Sequence, residues 1–494
     1  MPIITFEPEF RPALPCVYGA KDYQEFRADL IEADRILTET GLEERLIAAQ
    51  IASYKEPFPP RQLKRHIKTL RLALRHNILL SITGLSFRQL SQRLADSHLF
   101  QWFTHTGFID GVRPVSKSTL ERFEKLFDVE LVSEMIHELN QAVTDAAHAE
   151  QLLYRQTALR FDEIFADTTC VKADLHFPVD WVLLRDAART LMQAITLIRE
   201  HGLKHRMARP ETFICSMNKL CIEMTHTRKK KDAKKVRKKI FRCMKQLMKT
   251  IERHAERYHA LLEENREQTD WSELEAQVVL DRIKNILDQL PLAVSQAHER
   301  IIGERRVANS DKILSLYDPD IHVLVRGKAG AEVEFGNGLY LAEQADGLIV
   351  DWDFMKEQPP ADSKLVEPSL ERIREKYGSP ESYTTDRGFD TAANDLVLEK
   401  LAVFNGICPK SPLKLQEKLE DETFCLLQKR RGSTEGRIGI FKNAYLGKPM
   451  RSKSFEHREL RITWCILGHN LWKLATMAAQ KKAELEVEAA QSAA

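Results

Sequence analysis

The sequence lacks several features that would define its class at once. No stretch approaches the ~20 uninterrupted apolar residues of a membrane-spanning helix, and the N-terminal segment has neither the basic region nor the apolar core of a signal peptide. The eight cysteines include no Cys-x-x-Cys pair, which argues against a zinc ribbon or a disulfide framework. We therefore expect a cytoplasmic protein with reduced thiols.

The net charge of +2 over 494 residues conceals an uneven distribution. Residues 1–60 carry eleven acids and six bases, whereas residues 61–95 carry eight bases and no acid. Apolar residues at helical spacing predict an amphipathic helix over 61–80 with its cations toward solvent. Ser86 and Ser116 are the expected N-caps of two further helices. Three short basic helices suit a helix-turn-helix DNA-binding unit and an ordinary helical bundle equally well.

The most basic segment of the chain is also predicted to be helical. Between His226 and Lys249 there are twelve Lys and Arg residues and one acid, for a net charge of +11. Apolar residues recur among the cations at helical spacing, which indicates a cationic helix face. Such a face binds polyanions through counterion release, although most charge runs are only solvated surface. The lysines expected to contact DNA phosphates are Lys234, Lys235, Lys238 and Lys239.

From about residue 314 the pattern changes from helical to strand-like. Four short runs at 321–325, 331–335, 338–342 and 348–353 are separated by glycine-containing turns and predict a small antiparallel sheet. Alternating helix and strand follow, which predicts an α/β sheet of the RNase H kind. The run 161–167 supplies its first strand, because that strand would otherwise be left unpaired. The helical stretch 181–312 is then an insertion into a split domain.

Three acids lie where such a sheet would gather carboxylates. Asp167 is predicted to close the first strand, Asp386 closes a later one, and Glu435 opens a helix 49 positions after Asp386. Cleavage of a phosphodiester requires that the attacking and leaving oxygens both be stabilised. Two Mg²⁺ ions about 3.5–4 Å apart do this when carboxylates converge on them.

The pleat of each strand decides which acid faces the site. Asp162 and Asp174 are alternatives to Asp167 for this reason. Asp390 is an alternative to Asp386. We favour Asp167 because it stands at the predicted end of its strand, on the opposite face from Asp162.

A helix around Glu435 would place two cations beside the carboxylate. Arg431, Glu435 and Lys442 are separated by four and seven positions, so at 100° per residue they fall within about 60° on one helix face. The glutamate could then hold metal while the cations bind phosphate. A surface i, i+4 salt bridge with a spare lysine accounts for the same spacing. This helix follows a predicted helix and strand, which is where an RNase H-like fold would place its third metal ligand. Its position therefore favours the interpretation of Glu435 as a metal ligand.

Three sequence blocks around these acids occur together and in order, namely Phe-Ala-Asp167-Thr-Thr, Thr-Thr-Asp386-Arg-Gly-Phe and Arg431-x3-Glu435-x6-Lys442. They resemble the signature blocks of bacterial insertion-sequence DDE transposases, which have an RNase H-like catalytic core. The resemblance covers most of residues 60–475, including the strand-rich stretch that precedes the second block and the run Leu-Ser-Phe-Arg-Gln-Leu at 85–90.

This resemblance implies a recombinase that binds the terminal inverted repeats of its mobile element as double-stranded DNA, frees a 3′-hydroxyl and joins it to target DNA. Asp167, Asp386 and Glu435 would be catalytic and would hold two Mg²⁺ ions, with Mn²⁺ as a substitute. Both element ends must be held together, which implies a homodimer in the DNA complex, at the bacterial nucleoid. The residues expected to bind DNA phosphate near the cut are Arg431, Lys442, Arg387 and Gln428, the last in place of the family's tyrosine.

Two alternatives accompany this hypothesis, an RNase H-like nuclease that cuts without joining and a catalytically inactive, transposase-derived DNA-binding protein. The expected fold is mixed α+β, with an RNase H-like α/β catalytic domain at 151–180 and 313–450 interrupted by the basic helical insertion at 181–312. An acidic N-terminal segment at 1–60 and a helical DNA-binding domain at 61–150 precede it. A C-terminal helix and tail occupy 451–494.

Overall fold

The computed structural model describes residue 14 and residues 18–108, 111–175, 177–227, 232–328, 331–447, 450 and 452–492. Over these residues the chain is a mixed α+β protein in which helices predominate. It divides into two compact units. Unit 1 comprises Met1–Val171, Gly338–Met355 and Pro359–Ala494, and unit 2 comprises Lys172–Asn337 and Lys356–Gln358.

The N-terminal part of unit 1 is helical. The helices are α1 (Lys21–Thr40), α2 (Leu42–Ser53), α3 (Pro60–Thr83), α4 (Phe87–Asp96), α5 (His98–Thr104), α6 (Lys117–Glu124), α7 (Val129–Gln141) and α8 (Ala146–Leu153). A short hairpin of β1 (Gly107–Phe108) and β2 (Gly111–Val112) lies between α5 and α6. The predicted N-caps are confirmed, because the hydroxyl of Ser86 caps α4 and that of Ser116 caps α6.

Two cations of the basic segment 61–95 are buried, although the sequence pattern predicts that its cations face solvent. The Arg75 guanidinium donates to Asp34 Oδ1 and to Glu43 Oε2, both at 2.6 Å. Arg71 Nε lies 2.8 Å from Glu43 Oε1. Since Asp34 and Glu43 belong to the acidic N-terminal segment, the opposite charges of the two segments neutralise each other inside the fold. A buried charge is stable only when it is paired in this way.

The larger sheet is mixed. Its strands are β3 (Glu163–Lys172), β4 (His322–Lys328), β5 (Ala331–Gln344), β6 (Ile349–Phe354), β7 (Ser382–Thr384) and β8 (Phe404–Asn405). Their order is β4-β5-β3-β7-β8, and β6 pairs with β5. β7 is parallel to β3 and β8, whereas β5 is antiparallel to β4 and β6. Both β3 and β5 extend across the boundary between the two units.

Strand β5 takes the place of two of the predicted strands. The Gly-Asn-Gly run at 336–338 predicts a turn, but the backbone continues through it as one strand, Ala331–Gln344. Gly338 has no room for a side chain, because a Cβ there would lie 2.6 Å from Pro359 Cγ and 3.0 Å from Met355 Sδ. This glycine therefore permits a close approach of neighbouring side chains and makes no turn.

Unit 2 is built mainly from α9 (Asp180–Glu200), α10 (Pro210–His226), α11 (Ala233–Glu264) and α12 (Glu273–Ile301). These helices pack against one another around an apolar core of their own, which includes Leu191, Ile195, Phe241, Met244 and Ile283. The helical character predicted for 181–312 is confirmed. Residues 228–231 of the basic run lie outside the described residues.

The chain returns to unit 1 with α13 (Val366–Tyr377), α14 (Ala392–Lys400), α15 (Pro412–Lys418), α16 (Glu422–Ile440), a π-helical turn (Phe441–Leu446) and α17 (Phe455–Ser492). The predicted C-terminal helix is therefore long, and it packs against α1, α3 and α7. Trp464 on α17 is fully buried and donates its indole N–H to the carbonyl of Glu124 at 3.2 Å. This packing joins the two ends of the chain in one core.

Candidate active site

The pairing of β3 with β7 sets the position of two of the predicted acids. Phe165 is aligned with Thr384 in a parallel register. Continuing that register by two residues places Asp167 level with Asp386, and both side chains have the same parity as the aligned pair. Neighbouring strands lie about 4.8 Å apart, and the negative charge of Asp386 acts on the Asp167 carboxyl.

Asp167 does not close its strand, which corrects the sequence prediction. β3 continues for five residues beyond it, to Lys172, whereas β7 ends at Thr384. Asp167 therefore lies in the middle of a strand, two residues beyond the last residue of β3 that pairs with β7.

Asp386 begins a tight turn that orients its carboxylate. Its Oδ1 accepts the N–H of Gly388 at 2.8 Å and so caps the 3₁₀ turn Arg387–Phe389. A Cβ at Gly388 would lie 3.0 Å from Asp386 Oδ1 and 2.8 Å from Asp362 Oδ2, so a larger residue would displace these carboxylates. Arg387 is exposed beside the site, where the sequence predicts a phosphate contact.

Asp362 is a fourth acid that the sequence analysis did not identify. Its Oδ1 accepts the hydroxyl of Thr168, the residue after Asp167, at 2.9 Å. The sequence predicts a helix beginning at Asp362, but a 3₁₀ turn, Asp362–Lys364, precedes α13 and contacts the turn at Arg387. An acid at the start of a helix ordinarily indicates an N-cap. The sequence around Asp362 therefore gives no sign that this residue lies near the other acids.

The electrostatics of Asp167 reflect its neighbours. Burial is the main cause that raises the pKa of Asp167, to about 6, and the negative charges of Asp386 and Glu435 raise it further. The N–H of Thr168, which donates to Asp167 Oδ1 at 2.7 Å, and the charge of Arg431 act in the opposite direction. The three predicted acids are therefore electrostatic neighbours, although they come from distant parts of the chain.

Helix α16 brings Glu435 to this group, but Glu435 does not open the helix as the sequence predicts. α16 begins at Glu422, where Asp421 accepts the N–H of Thr423 at 2.8 Å as the N-cap. The helix then passes through Gly432, Gly436 and Gly439, whose missing side chains face open space. Glycine weakens a helix by only ~1 kcal/mol, and packing outweighs that cost here.

Packing of α16 on β5 depends on one buried carboxylate. Glu343 on β5 accepts the Thr434 hydroxyl at 2.7 Å, Arg437 Nη1 at 3.0 Å and both terminal nitrogens of Arg430 at 3.1 Å. The Arg430 guanidinium also lies over the Phe165 ring on β3, 4.5 Å from its centroid. These contacts hold one side of α16 on the sheet and leave its Arg431 and Glu435 side toward Asp167.

Gln428, Arg431 and Glu435 form a continuous hydrogen-bonded series along α16. Gln428 Nε2 donates to the carbonyls of Thr385 at 3.1 Å and Gly406 at 2.6 Å. Its Oε1 accepts Arg431 Nε at 3.1 Å, and Arg431 Nη1 donates to Glu435 Oε1 at 2.9 Å. The Glu435 side chain is 59% exposed and that of Arg431 is 19% exposed.

This arrangement differs from the phosphate contact predicted for Gln428. Both protons of its amide group go to main-chain carbonyls at the ends of β7 and β8, so its donors are already used. Gln428 instead ties α16 to the strand ends and fixes Arg431. A side chain with a donor pair and an acceptor can make these contacts, whereas a tyrosine at this position could not make all three.

Lys442 lies beyond α16, in the π-helical turn, and reaches the same face of β3 as Asp167. Its Nζ donates to Thr169 Oγ1 at 2.9 Å. Thr169 is two positions after Asp167, so both side chains point to the same side of the strand. Lys442 therefore lies on the same side of β3 as Asp167. It belongs to the π-helical turn, however, and not to the regular helix face predicted to carry Arg431 and Glu435.

The structure separates the alternative acids from this site. Asp390 Oδ2 accepts the main-chain N–H of Lys410 at 2.7 Å and serves a loop contact. Asp162 forms an ion pair with Arg160. Asp174 is exposed and belongs to unit 2. Asp167 and Asp386 are therefore the better candidates.

The four lysines predicted to bind DNA lie on α11 of unit 2, and they differ in their surroundings. Lys234 and Lys238 are held by Glu304, at 2.9 Å and 2.8 Å respectively. Lys235 and Lys239 are exposed. Lys234 and Lys238 thus share an acidic partner, whereas no described salt bridge involves Lys235 or Lys239.

The donor set at Asp167 and Asp386 consists of carboxylate oxygens, which suit Mg²⁺ chemically. Across the described ranges, no group of three or more His, Cys, Asp or Glu side chains is arranged to hold a metal ion. Glu435 is engaged by Arg431, so it must exchange that partner before it can coordinate an ion beside the two aspartates.

No family model, curated protein or solved structure matches the chain. The described helices include none long and apolar enough to cross a membrane.

Proposed function

We propose that the chain is a DDE transposase, a metal-dependent recombinase that cuts double-stranded DNA at the terminal inverted repeats of its mobile element and joins the freed 3′-hydroxyl to target DNA. The proposal includes a homodimer on the DNA, since both element ends are held together during joining. It places the protein in the bacterial cytoplasm, at the nucleoid.

One observation carries the proposal, the parallel register of β3 with β7. The paired residues run from Glu163 with Ser382 to Phe165 with Thr384, so Asp167 and Asp386 each follow the last pair by two residues. Glu435 on α16 is close enough that its charge contributes to the raised pKa of Asp167. Acids from three distant segments that influence one another electrostatically are more typical of a functional site than of scattered surface charge.

The strand arrangement supports an RNase H-like core as the finer description of the fold. Strand β5 is antiparallel to β6 and adjacent to β3, and β3, β7 and β8 follow in parallel order. This is the order in which the sequence predicts an antiparallel meander followed by alternating strands and helices. In this proposal unit 2 is a helical insertion between β3 and the C-terminal half of β5.

Each side chain has a role in the proposed site. Asp167, Asp386 and Glu435 would hold two Mg²⁺ ions, with Mn²⁺ as a substitute. Bound there, the ions would stabilise the attacking and leaving oxygens of an in-line displacement at phosphorus. Arg387, Arg431 and Lys442 would bind DNA phosphate through charge-assisted hydrogen bonds. Arg431 now donates to Glu435. If Glu435 bound metal instead, that N–H of Arg431 would become available to a phosphate oxygen.

The test uses a labelled duplex that carries the ends of the element encoding the chain, incubated with Mg²⁺. Asp386→Asn and Glu435→Gln are expected to reduce cleavage by roughly 10²–10³-fold, the scale of removing one group that stabilises transition-state charge. DNA binding should be retained. Glu422→Gln is a matched control, since Glu422 is an exposed glutamate at the start of the same helix. Unchanged cutting by Asp386→Asn would contradict the proposed site.

The same assay separates the proposal from its alternatives. Addition of a target plasmid should yield joined products, whereas a nuclease without joining activity gives only cut ends. Wild-type protein that binds the duplex and leaves it intact would indicate an inactive, transposase-derived DNA-binding protein.

A further inference from the structure

Helix α11 carries a row of cations on the side opposite its core. Its buried side is formed by Ile240, Met244, Met248, Ile251 and Ala255. Five exposed cations with one glutamine among them occupy positions three and four residues apart, so at 100° per residue they fall within an arc of about 80°. We call this set the cationic ridge, and its members are Lys235, Lys239, Arg242, Lys249 and Arg253, with Gln246 completing the spacing.

The ridge differs from the neighbouring lysines in having no ion-pair partner. Glu304 accepts from Lys234 and Lys238, and these bonds hold the pKa of its carboxyl down, at about 2. In the part of the chain that the structure describes, no salt bridge within 4.0 Å engages a member of the ridge. Glu252 on the same helix is an electrostatic neighbour of Lys249. Glu304 thus offsets one of the two positive charges of Lys234 and Lys238, whereas no described acid lies within 4.0 Å of a cation of the ridge.

The dimensions of the ridge suit a linear polyanion. From Lys235 to Arg253 it spans 18 residues, which at 1.5 Å per residue is about 27 Å. Duplex DNA carries one negative charge per ~1.7 Å of its axis, so phosphates are available along the whole length. A protein partner would require apolar or aromatic anchors, and none of the exposed large hydrophobic residues in the described ranges lies on α11.

We infer that the cationic ridge binds the phosphate backbone of duplex DNA without regard to its sequence. The inference deepens the proposed function and rests on it for the identity of the polyanion. Lys234 and Lys238 contribute less to this contact, because both are ion-paired with Glu304, which offsets one of their two charges. The ridge supplies affinity, whereas the acids of unit 1 supply the chemistry.

The test compares two double variants that remove the same charge from adjacent positions of one helix. Lys235→Ala with Lys239→Ala is the ridge variant, and Lys234→Ala with Lys238→Ala is the matched control. Binding of a fluorescent 30-base-pair duplex of arbitrary sequence is measured by anisotropy over a range of NaCl concentrations in EDTA. Each lost phosphate contact lowers the slope of log K against log salt by about 0.9. We expect the ridge variant to lose about 2 in slope and the control less than 1.

A second measurement uses the native chain. Cys243 is exposed on α11, next to Arg242. The duplex is expected to slow the alkylation of Cys243 by iodoacetamide several-fold at low salt, as followed by mass spectrometry. Equal losses of slope in both variants, no loss in either, or unprotected Cys243 with DNA bound would each overturn the inference and leave α11 to another partner.

These measurements are independent of catalysis. They use no metal and no element-specific sequence, so failure of Mg²⁺-dependent cleavage would reject the proposed enzyme and leave the ridge result standing. If cleavage depended on Asp386 but the two double variants had identical salt slopes, the proposed enzyme would stand. Only the inference that the cationic ridge binds DNA phosphates would be rejected.

Discussion

Replacement of Asp167 by asparagine is expected to change the stability of the fold in a pH-dependent way. Burial, with Asp386 and Glu435 nearby, raises the pKa of this carboxyl from 3.8 to about 6. Asparagine has nearly the same shape, and its side-chain oxygen can still accept the N–H of Thr168. The variant therefore removes the cost of a buried charge while keeping the local hydrogen bond.

The sign follows from proton linkage. A carboxyl with a raised pKa binds its proton more tightly in the folded state, so its contribution to stability is fully present below about pH 3.8 and is lost as the pH rises through about 6. A shift of about two pKa units corresponds to about 3 kcal/mol at most. We expect the free energy of unfolding of Asp167→Asn, relative to wild type, to increase by up to ~3 kcal/mol between pH 4 and pH 7.5.

Urea unfolding followed by tryptophan fluorescence in EDTA measures this difference. Asp174→Asn is the control, because Asp174 is exposed and its variant should show no such increase. A stability difference between Asp167→Asn and wild type that stays constant from pH 4 to pH 7.5 would refute the argument that Asp167 is a buried, ionised member of an acid group.

Three further outcomes follow from the packing. Trp464→Ala should lower the free energy of unfolding by about 3–5 kcal/mol, because a fully buried ring leaves a cavity; a loss below ~1 kcal/mol in urea would contradict this. Glu43→Gln should cost about 3 kcal/mol, since two buried arginines lose a carboxylate. Glu44→Gln should cost much less by the same assay, because the Glu44 side chain is 39% exposed and lies 3.8 Å from Arg71. Gln428→Ala should slow Mg²⁺-dependent DNA cleavage by roughly 10²-fold through misplacement of α16, and an unaltered rate would rule out its positioning role.

Much of the candidate site follows from local sequence. Two short apolar runs, one that leads to Asp167 and one that leads to Asp386, indicate two strands that each carry an acid. Parallel pairing then aligns the acids without further information. The four-residue spacing of Arg431 and Glu435 also suits a surface salt bridge, the alternative to a metal ligand, and that salt bridge is present at 2.9 Å. These features depend on strand and helix periodicity, which is a property of neighbouring residues.

The remaining features depend on contacts between distant segments. Asp362 approaches Thr168 across 194 positions, and no local pattern predicts that contact. The helical pattern predicts that Arg75 faces solvent, because the sequence does not show that Glu43 lies beside it in the fold. Gln428 serves three partners that only the assembled strand ends bring together. Spacing alone also could not show that Gly338 lies inside a strand, because the same residue type ordinarily indicates a turn.

Anomalous scattering from crystals soaked in Mn²⁺ tests the central claim most directly. Two bound ions about 3.5–4 Å apart are expected, in contact with carboxylate oxygens of Asp167, Asp386 and Glu435. Crystals with no Mn²⁺ at Asp167 and Asp386, or with Glu435 still paired to Arg431 and away from any ion, would contradict the proposal of a DDE recombinase.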